Sequence, residues 1–145
     1  DKAHGREYNV RLGDPEWQTL LWNIKTELIE IIKENYEDKL SNIRIIKKKQ
    51  AVVCVVLAAK GYPGKYEKNK IIKNLQNLKL EKDVEIFHAG TKLISEDFYS
   101  YGGRVLSVTA VSSNIKKARK TAYRILKQIN WKNGFYRNDI GIKNY

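Results

Sequence analysis

The amino-acid sequence predicts an α+β fold, in which a small and mainly antiparallel β-sheet is covered by helices. The valine-rich run from Ala51 to Ala59 has the length and composition of a buried strand, and shorter strand-like segments follow it. Two other segments repeat apolar residues at intervals of three and four, which is the period of an amphipathic helix. With 145 residues, the chain is long enough to bury a core.

The first predicted element is one long helix from residue 14 to about residue 36. Asp14 is placed as its N-cap, Pro15 as its first helical residue and Glu16 in its first turn, and each placement favours a helix start. We expect removal of Asp14 to cost about 1 kcal/mol of stability. The apolar stripe of this helix, which must pack against another element, comprises Trp17, Leu20, Leu21, Ile24, Leu28, Ile31 and Ile32.

The sheet is predicted to begin after a polar break at residues 47–50. Its first strand, Ala51 to Ala59, ends at the turn Gly61-Tyr62-Pro63-Gly64, which is either a loop that faces a substrate or a rigid chain reversal. Residues 71–80 are predicted to form either a short helix or a bent connection. The further strands predicted are Val84 to His88, Thr91 to Ile94 and Gly103 to Val111, with a polar turn at Ser95 to Asp97.

A second amphipathic helix is predicted after the sheet, and either Ser113 or Asn114 can cap its start. Its wet face is rich in lysine and arginine. We expect the other face to cover one side of the sheet. That buried face comprises Ile115, Ala118, Ala122, Ile125, Leu126 and Ile129.

Three alternating residues near the amino terminus are the main candidates for a site. If this stretch is extended, Glu7, Asn9 and Arg11 lie on one face of a strand. Glu7 and Asn9 could hold the Mg²⁺ of a metal-bound polyphosphate, because Mg²⁺ takes oxygen ligands, and the guanidinium of Arg11 suits phosphate oxygens. The alternative is the solvated face of an ordinary strand, with Val10 and Leu12 pointing inward.

The sequence contains one cysteine and two histidines, and none of these three residues is predicted to be catalytic. Cys54 lies inside the apolar run, where burial raises the pKa of a thiol, so we expect it to pack. His88 titrates in a range suited to acid–base work, but a structural histidine beside a glycine turn is the favoured interpretation. His4 lies near Glu7, yet one histidine in a polar terminus is not taken as a metal ligand.

The location of the protein is predicted from what the sequence lacks. No apolar run approaches the roughly 20 residues that span a bilayer, and no signal peptide opens the chain. With one cysteine, no disulfide framework is possible. We therefore expect a cytoplasmic protein with no membrane partner.

The net charge of +12, from 28 basic and 16 acidic side chains, favours an anionic partner. A substrate that bears phosphates fits this charge. Nucleic acid is the alternative, because basic clusters occur at residues 47–49, 116–117 and 119–120. The aromatic residues that could stack bases are Tyr62, Tyr66, Tyr99, Tyr101 and Phe135. No recognisable nucleic-acid module is present, so no specific nucleic acid is expected.

Five segments together resemble the phosphoribosylamine–glycine ligases, also called glycinamide ribonucleotide synthetases. Residues 7–16, Glu-Tyr-Asn-Val-Arg-Leu-Gly-Asp-Pro-Glu, are similar to the last strand and turn of the ATP-grasp domain of that family. Four later segments resemble its carboxy-terminal domain, in the family's order. They are Gly61-Tyr62-Pro63-Gly64, Phe87-His88-Ala89-Gly90-Thr91, Gly102-Gly103-Arg104-Val105-Leu106 and Tyr136-Arg137-Asn138-Asp139-Ile140-Gly141.

The resemblance implies a carboxy-terminal fragment of a longer ligase, which alone would be inactive. Residues 1–50 would be the tail of the ATP-grasp domain, consisting of a strand, the long helix and a linker, and residues 51–145 the carboxy-terminal domain. The partners implied are ATP, glycine, 5-phosphoribosylamine and the missing amino-terminal portion. The implied reaction forms glycyl phosphate, and attack by the amine then gives glycinamide ribonucleotide, a step of purine synthesis.

The resemblance also implies roles for single residues. Glu7 and Asn9 would bind Mg²⁺ or Mn²⁺ between the terminal phosphates of ATP, and Arg11 would stabilise the transferred phosphoryl group. Arg104 follows the flexible pair Gly102-Gly103 and would meet a substrate phosphate or carboxylate as a second catalytic residue.

Two residues near the carboxy terminus, Arg137 and Asp139, are expected to pair with each other and to be structural. Two other classes of function stay open beside the ligase. One is a basic nucleic-acid-binding module. The other is a protein-interaction module or structural remnant without catalysis, because a strand cut off from its neighbours exposes edges that can pair.

Overall fold

The computed structural model of the protein describes residues 9–142. Two short helices come first, α1 (Glu16–Asn23) and α2 (Leu28–Tyr36), and a single 3-10 turn follows at Leu40–Asn42. Neither α1 nor α2 contains a fully buried residue. Within residues 9–142, no helix is both long enough and apolar enough to cross a membrane.

The prediction of a single long helix is wrong, because the chain leaves the helical path between α1 and α2. Ile24 forms a β-bridge with Lys47, and the amide of Lys25 donates to the carbonyl oxygen of Ile46 at 2.8 Å. The amide of Ile46 donates in turn to the hydroxyl of Thr26 at 2.9 Å. Hydrogen bonds to a distant segment thus replace those that would have continued the helix.

In the rest of the described chain, seven strands and one further helix follow, and the strands form two antiparallel sheets. The larger sheet has the strand order β3-β6-β1-β7, and the smaller one has the order β2-β5-β4. The elements in chain order are β1 (Ala51–Ala59), β2 (Ile71–Ile72), β3 (Val84–His88), β4 (Thr91–Ile94), β5 (Asp97–Ser100), β6 (Arg104–Ser112), α3 (Ile115–Leu126) and β7 (Gly134–Phe135).

The predicted α+β class is confirmed, and the strands β1, β3 and β4 have the predicted bounds. β6 begins and ends one residue later than predicted. Residues 71–80 form the bent connection and hold β2, without a helix. The short strands β2, β5 and β7 were not predicted, and Asp97 begins β5 where a turn was expected. The single expected sheet is therefore two sheets.

The core lies between the larger sheet and α3. Asn114 is the N-cap of α3, and its side-chain oxygen accepts a hydrogen bond from the amide of Lys117 at 3.0 Å. The predicted apolar face of the helix is confirmed over its middle, where Ala118, Ala122 and Ile125 are fully buried. Ile115 is exposed at the first position of the helix, so its placement in the buried face is wrong. From the sheet, the core receives Val53, Val55, Leu57, Leu106, Val108 and Ala110.

The last described residues fold back onto α3. Arg119 donates from Nε to the carbonyl oxygen of Ile140 at 3.0 Å, and its guanidinium lies 4.6 Å from the centre of the Tyr123 ring. The hydroxyl of Tyr123 donates to the carbonyl oxygen of Arg137 at 2.6 Å and accepts from the amide of Ile140 at 3.2 Å. One arginine and one tyrosine of the helix therefore fix the chain at residues 137–140.

Candidate functional site

The segment that carries the predicted magnesium and phosphate ligands is not a strand over its described part. Glu7 lies outside the described residues. Asn9 and Arg11 are exposed, and Val10 and Leu12 are exposed as well, so the expectation that these two apolar residues point inward is wrong. The physical reason is that no described strand lies beside this segment to pair with its backbone.

Arg11 lies at an open cavity just before α1. Its guanidinium donates to the carbonyl oxygen of Leu12 at 3.0 Å. The cavity has a volume of about 400 Å³ and is lined by Arg11, Leu12, Gly13, Asp14, Trp17 and Gln18. This bond uses one of the several donors of the guanidinium, and Arg11 can present others to a ligand in this cavity.

The turn that leads into α1 is closed by three local hydrogen bonds. The amide of Gly13 donates to Oε2 of Glu16 at 2.9 Å, and the amide of Trp17 donates to the carbonyl oxygen of Gly13 at 2.9 Å. Nε2 of Gln18 donates to Oδ1 of Asp14 at 2.8 Å. Residues 13–18 are therefore joined into one hydrogen-bonded turn.

The placement of Asp14 as N-cap is wrong, since Pro15 takes the cap position and makes no side-chain cap bond. The carboxylate of Asp14 is occupied elsewhere. Its Oδ1 accepts from Gln18, and its Oδ2 lies 3.5 Å from Nε of Arg104. Asp14 therefore bonds both to Gln18 in the first turn of α1 and to Arg104 in β6, without capping a backbone amide of α1.

Arg104 is the other half of that contact. Its NH1 donates to the backbone carbonyl oxygen of Asp14 at 2.9 Å, in addition to the ion pair with the Asp14 carboxylate. Two backbone hydrogen bonds fix the chain at Arg104. The amide of Ala59 in β1 donates to the carbonyl oxygen of Gly103 at 2.7 Å, and the amide of Gly90 donates to the carbonyl oxygen of Arg104 at 2.9 Å. The structure thus pairs the predicted catalytic residue Arg104 with Asp14, a partner that sequence reasoning missed.

An apolar groove of about 410 Å³ lies on the face of the larger sheet opposite α3. Side chains alternate between the two faces of a strand, so Cys54, Val56 and Ala58 share this face. The rim of the groove is formed by Pro15, Tyr62, Pro63, Arg104, Phe135, Tyr136, Arg137 and Ile140. The turn at residues 61–64 is confirmed, and it forms one end of the groove.

Cys54 is packed as predicted. It is buried, and burial raises the pKa of its thiol. A thiol with a raised pKa holds little thiolate near neutral pH, so Cys54 is not activated as a nucleophile.

His88 has two contacts that explain it as a structural residue. Its Nδ1 lies 2.9 Å from the hydroxyl oxygen of Thr91, and its ring centre lies 4.6 Å from that of Phe98. Partial burial lowers the pKa of His88. The hydrogen bond with Thr91 and the lowered pKa fit the prediction that His88 is a structural residue.

The predicted pair of Arg137 and Asp139 is confirmed as a bidentate ion pair, with Nε of Arg137 at 2.9 Å from Oδ1 of Asp139. The hydrogen bonds from Arg137 lower the pKa of the Asp139 carboxyl, and they raise the pKa of the guanidinium. Both side chains lie at the surface, where an ion pair contributes little to stability. The pair therefore mainly orients residues 137–139.

Several of the aromatic residues considered as stacking platforms are already engaged. The rings of Tyr62 and Tyr66 lie edge to face, with centres 6.2 Å apart. The ammonium of Lys92 lies 3.5 Å from the centre of the Tyr101 ring, and Lys68 lies 5.0 Å from it. Between residues 9 and 142, no group of three or more histidine, cysteine, aspartate or glutamate side chains could hold a metal ion.

Comparison with known proteins gives one consistent result. Residues 52–143 match the family model described as "Phosphoribosylglycinamide synthetase, C domain". The chain is 44% identical over 137 residues to a chloroplastic phosphoribosylamine–glycine ligase of Arabidopsis thaliana, and 42% identical over 136 residues to a phosphoribosylamine–glycine ligase of Fusobacterium nucleatum. These alignments cover 93% of this chain, but only 26% and 32% of the two relatives.

A solved structure agrees with the sequence comparisons. The crystal structure of a phosphoribosylamine–glycine ligase from Thermotoga maritima superposes with a TM-score of 0.69 at 30% sequence identity. The match covers 92% of this chain and 32% of the Thermotoga chain. The chain thus spans about a third or less of the length of the relatives it matches.

Proposed function

Because the chain belongs to the phosphoribosylglycinamide synthetase C domain family, we propose that it forms the carboxy-terminal part of an ATP-dependent ligase that joins glycine to 5-phosphoribosylamine. The product is glycinamide ribonucleotide, an intermediate of purine synthesis. The observation that carries the proposal is the similarity to ligases of this name over 93% of the chain.

We assign residues 1–50 to the tail of an ATP-grasp domain and residues 51–145 to the carboxy-terminal domain. The alignments of 136 and 137 residues are longer than the family match over 52–143, so the similarity also reaches into the first fifty residues. Among the described residues, positions 9–50 contribute none of the buried hydrophobic residues of the core, which begins at Val53. This difference in burial supports the division.

Exposed apolar side chains on α2 support a larger parent protein. Ile29, Ile32 and Tyr36 are 70%, 53% and 89% exposed. Apolar residues at helical spacing normally pack against another surface, and clustered exposure of this kind marks a contact site. In our proposal the remainder of the ligase covers α2.

The donor set before α1 is compatible with a magnesium-bound polyphosphate. Mg²⁺ is usually held by one or two carboxylates, and its other ligands are waters and substrate phosphates, so Glu7 and Asn9 would suffice as protein ligands. Asn9 is exposed, and the Glu16 carboxylate accepts a hydrogen bond from the amide of Gly13. The Asp14 carboxylate accepts from Gln18 and pairs with Arg104. When bound, the metal ion would offset phosphate charge and orient the transfer.

The chemistry assigned to the ligase proceeds in two displacements. The carboxylate of glycine attacks the terminal phosphorus of ATP, which forms glycyl phosphate and releases ADP. The amine of 5-phosphoribosylamine then attacks the acyl carbon, so that phosphate leaves and the amide forms. Arg11 binds oxygens of the transferred phosphoryl group at the 400 Å³ cavity and neutralises part of their charge. The chain alone is not expected to catalyse either step.

A chimera tests this proposal. The chain replaces the matching part of the Fusobacterium nucleatum ligase, and phosphate release is measured with ATP, glycine and 5-phosphoribosylamine. We expect activity that requires all three substrates. A chimera that melts cooperatively but has no such activity would overturn the proposed function.

The metal assignment is tested in the same chimera with Glu7→Gln and Asn9→Ala. We expect each substitution to lower kcat/KM by at least about 10- to 100-fold, because loss of residues that only orient metal ligands already has an effect of this size. His4→Ala is the matched control, because it lies in the same segment and has no assigned role. Full activity in both Glu7→Gln and Asn9→Ala would reject the metal assignment while leaving the family function intact.

A further inference from the structure

We propose that Arg104 is a positioning residue of the ligase, which acts on the site before α1 through Asp14 and not by touching a substrate. This inference rests on the proposed function. It replaces the expectation that the Arg104 guanidinium meets a substrate phosphate or carboxylate.

The first observation is that the guanidinium of Arg104 is already engaged. NH1 donates to the backbone oxygen of Asp14 at 2.9 Å, and Nε lies 3.5 Å from the Asp14 carboxylate. One side chain therefore holds both the backbone and the side chain of the same residue. A bond to a backbone oxygen fixes the path of the chain in a way that an ion pair between two flexible side chains does not.

The second observation is that the backbone of Arg104 is held in place by the larger sheet. Arg104 is the first residue of β6, and its backbone pairs with β1 at Ala58. Gly103, directly before it, lies so close to the ring of Tyr62 that an added Cβ would be 2.2 Å from a ring carbon. The guanidinium therefore extends from a fixed point of the larger sheet.

The third observation is what Asp14 holds. Asp14 belongs to the bonded turn of residues 13–18, and it lines the same cavity as Arg11. Arg11 is three residues before Asp14, and Asn9 is five residues before it. The contact from Arg104 thus fixes residue 14 of this cavity, just after Asn9 and Arg11, to the first residue of β6, in addition to the packing of α1 on the sheet.

The consequence for the reaction concerns ground-state binding. If the segment at residues 9–14 is held in place only part of the time, the apparent affinity for MgATP falls by the fraction of time that it is correctly placed. Loss of the contact should therefore raise the KM for MgATP more than it lowers kcat. A residue that touched the transferred phosphoryl group would instead lower kcat.

The kinetic test uses the chimeric ligase with Arg104→Ala, Asp14→Asn and both together. We expect the KM for MgATP to rise about tenfold in Arg104→Ala, with kcat within about twofold of the parent. Asp14→Asn should give a smaller rise, because the backbone oxygen of residue 14 remains. The double variant should resemble Arg104→Ala, since coupled residues are not additive. Arg104→Lys should restore part of the affinity.

Arg124→Ala is the matched control. Arg124 forms a surface ion pair with Glu81, and its side chain is 43% exposed, as is that of Arg104. Unchanged kinetics are expected. A fall in kcat with an unchanged KM, additive effects of the two substitutions, or no effect of Arg104→Ala would each overturn the proposal.

Hydrogen exchange separates this inference from the proposed function, because it needs no activity. The Trp17 amide, bonded to Gly13, should exchange faster in Arg104→Ala than in the parent, while the amides of α3 should not change. Unchanged exchange at Trp17 would overturn the inference even in an active ligase. Faster exchange in an inactive, folded chimera would overturn the proposed function alone and leave the contact established.

Discussion

A Cβ atom placed on Gly90 would lie 2.5 Å from the Cα of Gly102, so the two backbones are in direct contact. The oxygen of Gly90 accepts from the amides of Tyr101 at 2.7 Å and Gly102 at 3.0 Å, and its own amide donates to Arg104. This contact joins the turn after β3 to the residues that precede β6. It is the reason why glycine occupies both positions.

Gly90→Ala should lower the free energy of unfolding by about 1–3 kcal/mol, because the new methyl group meets backbone atoms that cannot rotate away. Urea denaturation measures this change. Gly13→Ala is the control, since its Cβ would make only ordinary contacts with the Glu16 side chain, the nearest atom being an oxygen at 3.4 Å, and a change within about 0.5 kcal/mol is expected. Equal stability of the two variants would contradict the close approach.

Asn114→Ala should lower the free energy of unfolding by about 1 kcal/mol, since the amide of Lys117 loses its side-chain acceptor. The sequence allowed Ser113 or Asn114 as the cap of α3. Ser113→Ala therefore serves as the comparison, and it should have a smaller effect in thermal or urea denaturation. The reverse order of the two effects would show that Ser113 caps the helix.

His88 should make the stability depend on pH below neutrality. Partial burial lowers the pKa of His88 in the folded protein below its ordinary value of 6.5, so the unfolded chain binds more protons in this range. Stability is therefore fully present above pH 6.5 and is lost as the pH falls through the folded-state pKa. Urea denaturation between pH 7 and about pH 5.5 should give a smaller decrease for His88→Gln than for the parent. Identical pH profiles would show that His88 does not contribute.

Cys54 should be unreactive in the folded protein. Burial and the raised pKa of its thiol predict labelling by a disulfide reagent at pH 8 about 100-fold slower than in the urea-unfolded chain. Absorbance of the released thiolate follows the reaction. One thiol per chain should react after unfolding, because Cys54 is the single cysteine. Rapid labelling without urea would mean that the apolar groove opens readily to solvent.

Elements with a strong local signal could be predicted from the sequence. The strands β1 and β3 begin and end at the predicted residues. Their bounds could be predicted because the apolar residues that form each strand are neighbours in the sequence. The sequence limited the N-cap of α3 to Ser113 or Asn114, because a cap is a hydrogen bond between residues that are close in sequence. Local signals of this kind do not depend on what packs against the element.

Elements that depend on distant partners could not be predicted. The apolar stripe from Trp17 to Ile32 is continuous in sequence, yet the bridge between Ile24 and Lys47 interrupts the helix. The two-residue strands β2 and β7 are too short to show a period, and they exist because longer strands lie beside them.

The same limit applies to the candidate site. Arg104 was selected because it follows two glycines, but its partner Asp14 lies 90 residues earlier in the chain, and no local pattern joins the two. Asp14 was instead interpreted through its neighbours Pro15 and Glu16, which favour a helix start. Residues that act across such a separation become visible only when the sheet brings them together.

The hydroxyl of Tyr123 both donates and accepts, at Arg137 and at Ile140. Residues 137–140 are therefore bonded to α3 at each end, so these residues do not detach from the helix one at a time as an unbonded segment would. The segment and the helix open together or stay closed together, so they behave as one cooperative unit with the core beneath them.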